Sequence, residues 1–246
     1  MKPTFSTATY RSLLRAGLDG GFRFVTFAET RGLQGAERVC AIRHDIDSDP
    51  GAGLTLAEIE AEEGVRSTYF MMLRSSIYNV FGRANQQLVE QIAAAGHAIG
   101  LHYDPGFPPA GGRSHTEQIE VERSTLEDLL GVAVEAVAFH QPSLIPGAFG
   151  IEVDGAVKAN GLAGYHFLAD PNQDPQVFEA FDVFRTGEPP KLQLLVHPMW
   201  WVGGPDVTPP ELWERAIHAN WERTQRQLLI ERAYGPPRRL SLEPEA

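Results

Sequence analysis

The sequence predicts an α/β protein, a single barrel-like domain of parallel strands with helices outside them, and three observations carry this. Strand-like and helix-like segments alternate along the 246 residues, and no shift in composition marks a second domain. The side chains able to do chemistry collect where apolar strands end, which in a barrel is the C-terminal rim.

Taken in order, "FRFVTF" (22 to 27) and "RVCAIRH" (38 to 44) read as strands. "AGLTLAEIEAEEG" reads as a helix, with Ala52, Leu56 and Ile59 at i, i+4 and i+7 and Gly64 at its stop. "RSTYFMM" (66 to 72) is β-rich, and "ANQQLVEQIAAAG" puts Leu88, Ile92 and Ala95 on one side of a helix before "HAIGLHYD" resumes a strand. Ser114 and Glu117 have capping-box spacing for a helix holding Ile119, Leu126 and Leu130 and stopping at Gly131. "AVAFH" (136 to 140), "GYHFL" (164 to 168) and "LQLLVH" (192 to 197) are further strands. Thr208 and Glu211 cap a last long helix with Trp213, Ile217, Trp221 and Leu228 in register, and the proline-rich tail, 236 to 246, reads as loose.

Apolar residues make up 43% of the chain and charged residues 22%, and no window approaches the apolar length of a membrane span. The first residues carry neither an apolar core nor a small-residue cleavage site, so a cytoplasmic location is expected. The lone Cys40 sits in an apolar strand and is given no chemistry. A net charge of −11 without a Lys/Arg cluster opposes nucleic acid as a partner. The sequence sets no oligomeric state.

"IRHDID" (42 to 47) closes a buried strand with dense charge. Residues two apart on a strand face the same way, so Arg43, Asp45 and Asp47 share one face while Cys40, Ile42, His44 and Ile46 share the other. Two carboxylates aimed into one space repel unless a cation stands beside them, either Arg43 or a metal. A turn or N-cap aspartate pair with a surface salt bridge would look the same. The next strands supply company: parity puts His102 with Asp104, and His140 and His197 each end a strand. Three strand-end histidines joined by a D-x-D strand end are a much rarer accident than any one of them. His44 reads as structural or as a support behind the site, and His97, at the start of a strand, as structural. His166 and His218 have no rim company; Asp170 follows a strand and could line the pocket, but its place before a proline favours a turn aspartate.

These motifs resemble the polysaccharide deacetylases, the chitooligosaccharide deacetylase homology domain. "RHDID", "RSTYFMM", "GHAIGLHYD", "FHQPS" and "LLVHPMWW" follow the family's order over most of the chain, and are most similar to a subgroup reading RHDVD, GLHFD, FHRPS and IHPxWW. The resemblance implies a distorted, incomplete (β/α) barrel, seven-stranded and TIM-like. It implies a metal-dependent hydrolase that removes an N-acyl group from an amino sugar or glycan precursor by attack of metal-activated water. Asp45 would be the base, Asp47 and His102 metal ligands, and His197 the general acid, with Zn2+ as the ion and Co2+ or Mn2+ as substitutes. Two departures stand out. The position of the family's next histidine ligand holds Gly106, and the arginine that orients the base is replaced by His140. Chemically, His140 can supply the missing imidazole and Arg43 the orienting charge; Asp104 is the second choice as third ligand and His115, in "GGRSHTE", the third. Trp200 and Trp201 offer faces for stacking a sugar, and Tyr78 and Asn79 offer hydrogen bonds, although packing explains paired tryptophans equally well. Two other readings stay open: a ring-opening amidohydrolase acting on a cyclic amide or ureide, and a non-catalytic carbohydrate binder that has lost a ligand.

Overall fold

The computed structural model describes residues 3 to 230 except 34, 36 and 205, so the tail at 236 to 246 lies outside the described residues. Eight parallel strands form one sheet: β1 (Arg23–Val25), β2 (Val39–Ile46), β3 (Thr68–Met71), β4 (Ala98–Tyr103), β5 (Ala136–Phe139), β6 (Val157–Lys158), β7 (His166–Ala169) and β8 (Lys191–Val196). Their order is β6-β5-β4-β3-β2-β8-β7, and β1 pairs with the first half of β2 on the edge whose second half is taken by β3. Among the described residues no ladder joins β6 to β7, so the curled sheet is an incomplete barrel. That is the expected class, with the two-residue β6 as an extra strand too short to leave a periodic pattern.

Helices α1 (Thr7–Asp19), α2 (Pro50–Glu62), α3 (Arg83–Ala94), α4 (His115–Leu130), α5 (Ala180–Thr186), α6 (Pro198–Val202) and α7 (Pro209–Ile230) complete the domain. Ala52, Leu56 and Ile59 are buried as their spacing predicts, and the Ser114–Glu117 capping box forms in both directions. The last helix differs in phase. Leu212, Ala216 and Asn220 are its buried residues, while Ile217 and Trp221 are exposed, because the stripe facing α6 and α3 runs one residue before the one chosen on bulk. The helix α1 was not foreseen. Its Tyr10, Leu13 and Leu14 are buried against the outer face of the sheet.

Parity on β2 splits the molecule into layers. Cys40, Ile42 and Leu194 point outward into the helical layer, whereas Val39, Ala41, Ala138 and Phe70 fill the lumen. Gly100, inward on β4, makes room for the Phe70 ring, since a Cβ there would stand 2.5 Å from it. Phe70 thus plugs the lumen directly below the strand ends, and the Arg43 guanidinium lies 5.8 Å from its ring centre. No helix of the described residues is long and apolar enough to cross a membrane.

Candidate functional site

Arg43 and Asp45 emerge on the inner face of β2 and are both buried. A guanidinium taken out of water needs its donors filled. Nε and Nη2 of Arg43 each donate to one oxygen of Asp45 at 2.7 Å, and Nη2 also donates to the Phe139 carbonyl at 3.1 Å. This fork fixes the Asp45 carboxylate in orientation. Burial opposes its charge, but Arg43 and then His102 hold its carboxyl below the ordinary aspartate range.

Asp47 lies one step further along, where β2 has ended, and is reached by three histidines from three strand ends. His102 Nε2 stands 3.0 Å and His140 Nδ1 3.3 Å from Asp47 Oδ1, and His197 Nε2 is 3.7 Å from Oδ2. The other ring nitrogen of His102 faces the Ala138 carbonyl at 3.1 Å, and donating its proton there leaves Nε2 with a lone pair aimed at a carboxylate. Two acceptors meet at that distance only with a proton or a cation between them. Burial again opposes the charge on Asp47, and the imidazoles of His102 and His140 beside it carry its carboxyl well below the usual value.

Asp47, His102 and His140 each offer a donor atom, and all three atoms lie within 4.8 Å of one another. Two imidazoles and a carboxylate form a donor set that suits a divalent ion, and the His102–Ala138 bond is the kind of support that fixes a ligating imidazole. Neither alternative third ligand is in this group. Asp104 Oδ1 accepts from the Gly106 backbone N–H at 2.8 Å, and His115 pairs with the Tyr103 hydroxyl at 2.7 Å on the outer side of β4.

His197 has a partner that sequence reasoning missed. Asp170, fully buried after β7, accepts from His197 Nδ1 at 2.7 Å, from the His197 backbone N–H and from the Trp201 indole at 2.8 Å. Burial alone would push the His197 imidazolium down, but Asp170, followed by Asp47 and Asp45, raises it from 6.5 to about 9. The signal was present as an aspartate directly after a strand. Its position before a proline favoured a turn, and only the pairing of β7 with β8 brings it under His197.

The residues open onto one cavity of about 510 Å3. Asp45, Asp47, His140 and His197 line one end, and Trp200 and Trp213 line the wall beside His197. Trp201 does not: it is fully buried against Phe5 and Tyr10, and its indole N–H is given to Asp170. Tyr78 and Asn79 lie elsewhere, in a hollow between the loop after β3 and α7. The buried Tyr78 hydroxyl donates to the Ile46 carbonyl at the end of β2 and accepts from the Met72 N–H, and exposed Asn79 caps the Phe81 N–H, so both are spent on backbone groups.

On the opposite face of β2, His44 joins a buried cluster in which its Nδ1 alone has no hydrogen-bond partner. The Glu60 carboxylate accepts from Tyr10, from His44 Nε2 at 2.7 Å, from Ser67 at 2.6 Å and from Tyr69 at 2.8 Å, with His97 3.3 Å away. His44 and His97 therefore serve packing behind the site.

No family model matches the chain, and no curated protein matches it. Among solved structures, it is similar to a polysaccharide deacetylase from Bacillus cereus at 14% identity and a TM-score of 0.45, covering 85% of this chain and 96% of that one. A family 4 acetyl xylan esterase from Clostridium thermocellum, in complex with a cobalt ion, aligns at 14% identity and a TM-score of 0.42 over 80% of this chain and 92% of that one. A CE4 family pseudoenzyme from Bacillus anthracis aligns at 14% identity and 0.44 over 77% and 63% respectively.

Proposed function

We propose that this chain is a hydrolase that removes an N-acyl group from an amino sugar or glycan precursor, and that it works with a divalent metal ion. The observation that carries the reading is the meeting, at one end of one cavity, of the Asp47, His102 and His140 donors with an arginine-held Asp45 and an aspartate-held His197. The order of motifs along the chain supports the same class.

Asp47, His102 and His140 would hold the ion, most simply Zn2+, with Co2+ or Mn2+ as substitutes. Bound there, it would polarise the amide carbonyl and bring the pKa of a water to about 7. The remaining chemistry falls to the chain. Asp45, kept ionised by Arg43, accepts the proton of the attacking water. His197, protonated because Asp170 holds Nδ1, presents Nε2 to the departing amine and donates its proton there as the C–N bond breaks. A carboxylate pushed down and an imidazolium pushed up give the base and the acid opposite charges at neutral pH, which is the division of labour the reaction needs. Trp200 lines the wall beside His197 but is buried against Trp213, so the stacking face expected of it is not free for a sugar.

The test is an assay of the purified chain, with Zn2+, Co2+ or Mn2+ added, on N-acyl amino sugars and on cyclic amides and ureides. Metal-dependent release of a free amine from the sugars is the expected result. Ring opening of a cyclic ureide with no amine release, or no turnover with any ion, contradicts it.

A further inference from the structure

Among the described residues the barrel is open between β6 and β7. β6 pairs with β5 only as far as Lys158, so the backbone groups of Phe139 on that side have no strand to meet. Side chains meet them instead. Asn160 Oδ1 accepts from the Phe139 N–H at 2.6 Å, and Arg43 Nη2 donates to the Phe139 carbonyl at 3.1 Å. Gln193 Nε2 donates to the Ala159 carbonyl, next to Asn160, at 3.1 Å. Backbone groups at an unclosed wall must be paired, and these three side chains pair them.

Each bond also fixes which end of the side chain is left over. With Nε and Nη2 of Arg43 placed on Asp45 and Phe139, Nη1 remains; Asn160 is left with Nδ2 and Gln193 with Oε1. None of the three atoms has a partner among the described residues, and none is sealed in as the Tyr165 hydroxyl and the Trp200 indole nitrogen are. Arg43 and Gln193 are themselves 3% and 2% exposed, so whatever reaches these ends comes through the cavity that all three residues line.

The chemistry of this set selects its occupant. Two donors and one acceptor suit hydroxyls, which both give and accept a hydrogen bond. A carboxylate fits badly, because Asp45 already neutralises the guanidinium and Gln193 Oε1 would face another acceptor. An alkyl chain would take water from all three groups and pair none. An apolar surface stands beside the polar ends. Phe167 pairs with Gln193 in the β7–β8 ladder, and since Leu168 and Leu192 pack outward, both side chains turn inward. Phe167 is nevertheless 48% exposed, and exposed Phe149 lines the same cavity. Hydroxyl partners beside open aromatic rings match a pyranose, which has polar edges and an apolar C–H face.

Resting on the hydrolase reading above, we infer that the opening between β6 and β7 is a sugar subsite: the ring that carries the amide lies against Phe167, with its hydroxyls among Arg43 Nη1, Asn160 Nδ2 and Gln193 Oε1. The acyl group then points toward the rim. Asn160 and Phe167 are specificity residues that touch no reacting atom.

A ligand-observed NMR titration of the intact zinc-supplemented protein reads binding and amine release in one sample. Its probes are N-acetylglucosamine, N-acetylcyclohexylamine, which keeps the amide on a bare ring, and N-glycoloylcyclohexylamine, which moves a hydroxyl to the acyl side. The sugar should bind at least about tenfold more tightly than N-acetylcyclohexylamine, from two hydroxyl contacts worth about threefold or more each. Asn160→Ala should weaken the sugar by about threefold or more and leave N-acetylcyclohexylamine unchanged, whereas a purely structural role would weaken both. Phe167→Ala, at a half-exposed side chain whose loss spares the fold, should weaken the sugar by about threefold. Equal binding of the sugar and N-acetylcyclohexylamine overturns the inference. So does a loss in Asn160→Ala shared by both probes, parental sugar affinity in Phe167→Ala, or tighter binding of N-glycoloylcyclohexylamine than of the sugar. Preference for the sugar without amine release would sink the hydrolase reading and leave the subsite standing; amine release from the sugar and the bare-ring amide alike would do the reverse.

Discussion

Alternate residues of one strand build two polar clusters with opposite fates. On the outer face of β2, His44 enters a set with Glu60, Tyr10, Ser67, Tyr69 and His97 in which the carboxylate accepts from every side and nothing opens to a cavity. On the inner face, Arg43, Asp45 and Asp47 meet His102, His140 and His197 with a cavity in front. Buried charge is costly in both places. The outer cluster surrounds its carboxylate with donors on every side, leaving only His44 Nδ1 without a partner, and it faces packed core rather than a cavity. The inner one keeps acceptors facing acceptors, an arrangement that an added cation completes. A carboxylate already surrounded by donors, against one that fronts a cavity, rather than the density of ionisable groups, separates scaffold from site.

The comparison breaks most visibly at His197. His197→Ala should lower amine release per folded molecule by about 100- to 10,000-fold, and, because it takes a donor from the buried Asp170 carboxylate, should also lower the melting temperature; steady-state kinetics and a thermal melt check both. A variant that unfolds but keeps its rate per folded molecule would invert the assignment of the two clusters.

Glu60→Gln tests the other side. Glu60 is fully buried; burial raises its pKa, yet His44, His97 and Ser67 bring it from 4.5 to about 2. A group depressed in the folded state contributes stability that is complete above pH 4.5 and is lost as the pH falls toward 2. Its contribution is about 3 kcal/mol, the depression converted at 1.36 kcal/mol per unit. The wild type should therefore lose more stability than Glu60→Gln between those pH values in denaturant titrations, and the variant's catalytic rate per folded molecule should be unchanged.

Asp170→Asn sharpens the comparison within the site. The His197 pKa, raised from 6.5 to about 9, gives a proton donor that is fully charged below 6.5 and is lost as the pH rises through 9. A divalent ion at Asp47 would move that limb lower by repulsion. In either case Asp170→Asn should displace the alkaline limb of kcat/KM toward lower pH and cut the rate at neutral pH by about tenfold or more. An unmoved limb would leave His197 without its assigned partner.

The smallest effect is expected at Asn79, exposed and outside the cavity. Asn79→Ala should change stability by no more than about 0.5 kcal/mol and leave kcat/KM within experimental error.

Much of this was legible in the chain. The period-two alternation of "CAIRHDID" separates inner from outer residues before any coordinates are consulted, and the strand-end histidines at 102, 140 and 197 converge because parallel strands all finish on one side of a barrel. What was not legible depends on neighbours far away in sequence. Asp170 becomes a partner of His197 only through the β7–β8 ladder, and Trp201 becomes core only because Tyr10, from the unforeseen α1, and Phe5, just before that helix, pack on it. The phase of α7 was misjudged for a related reason. Trp221 and Ile217 outweigh Ala216 and Asn220 in bulk, but Asn220 is held inside by its bond to the Ser48 carbonyl at 2.7 Å.

The claim on which the rest depends is that Asp47, His102 and His140 share one divalent ion, and a zinc titration by calorimetry tests it most directly. One ion per chain is expected, weakened at least about tenfold by Asp47→Asn, His102→Ala or His140→Ala and unaffected by His115→Ala or Asp104→Asn. Absence of binding, or equal binding by the parent and His140→Ala, would contradict it.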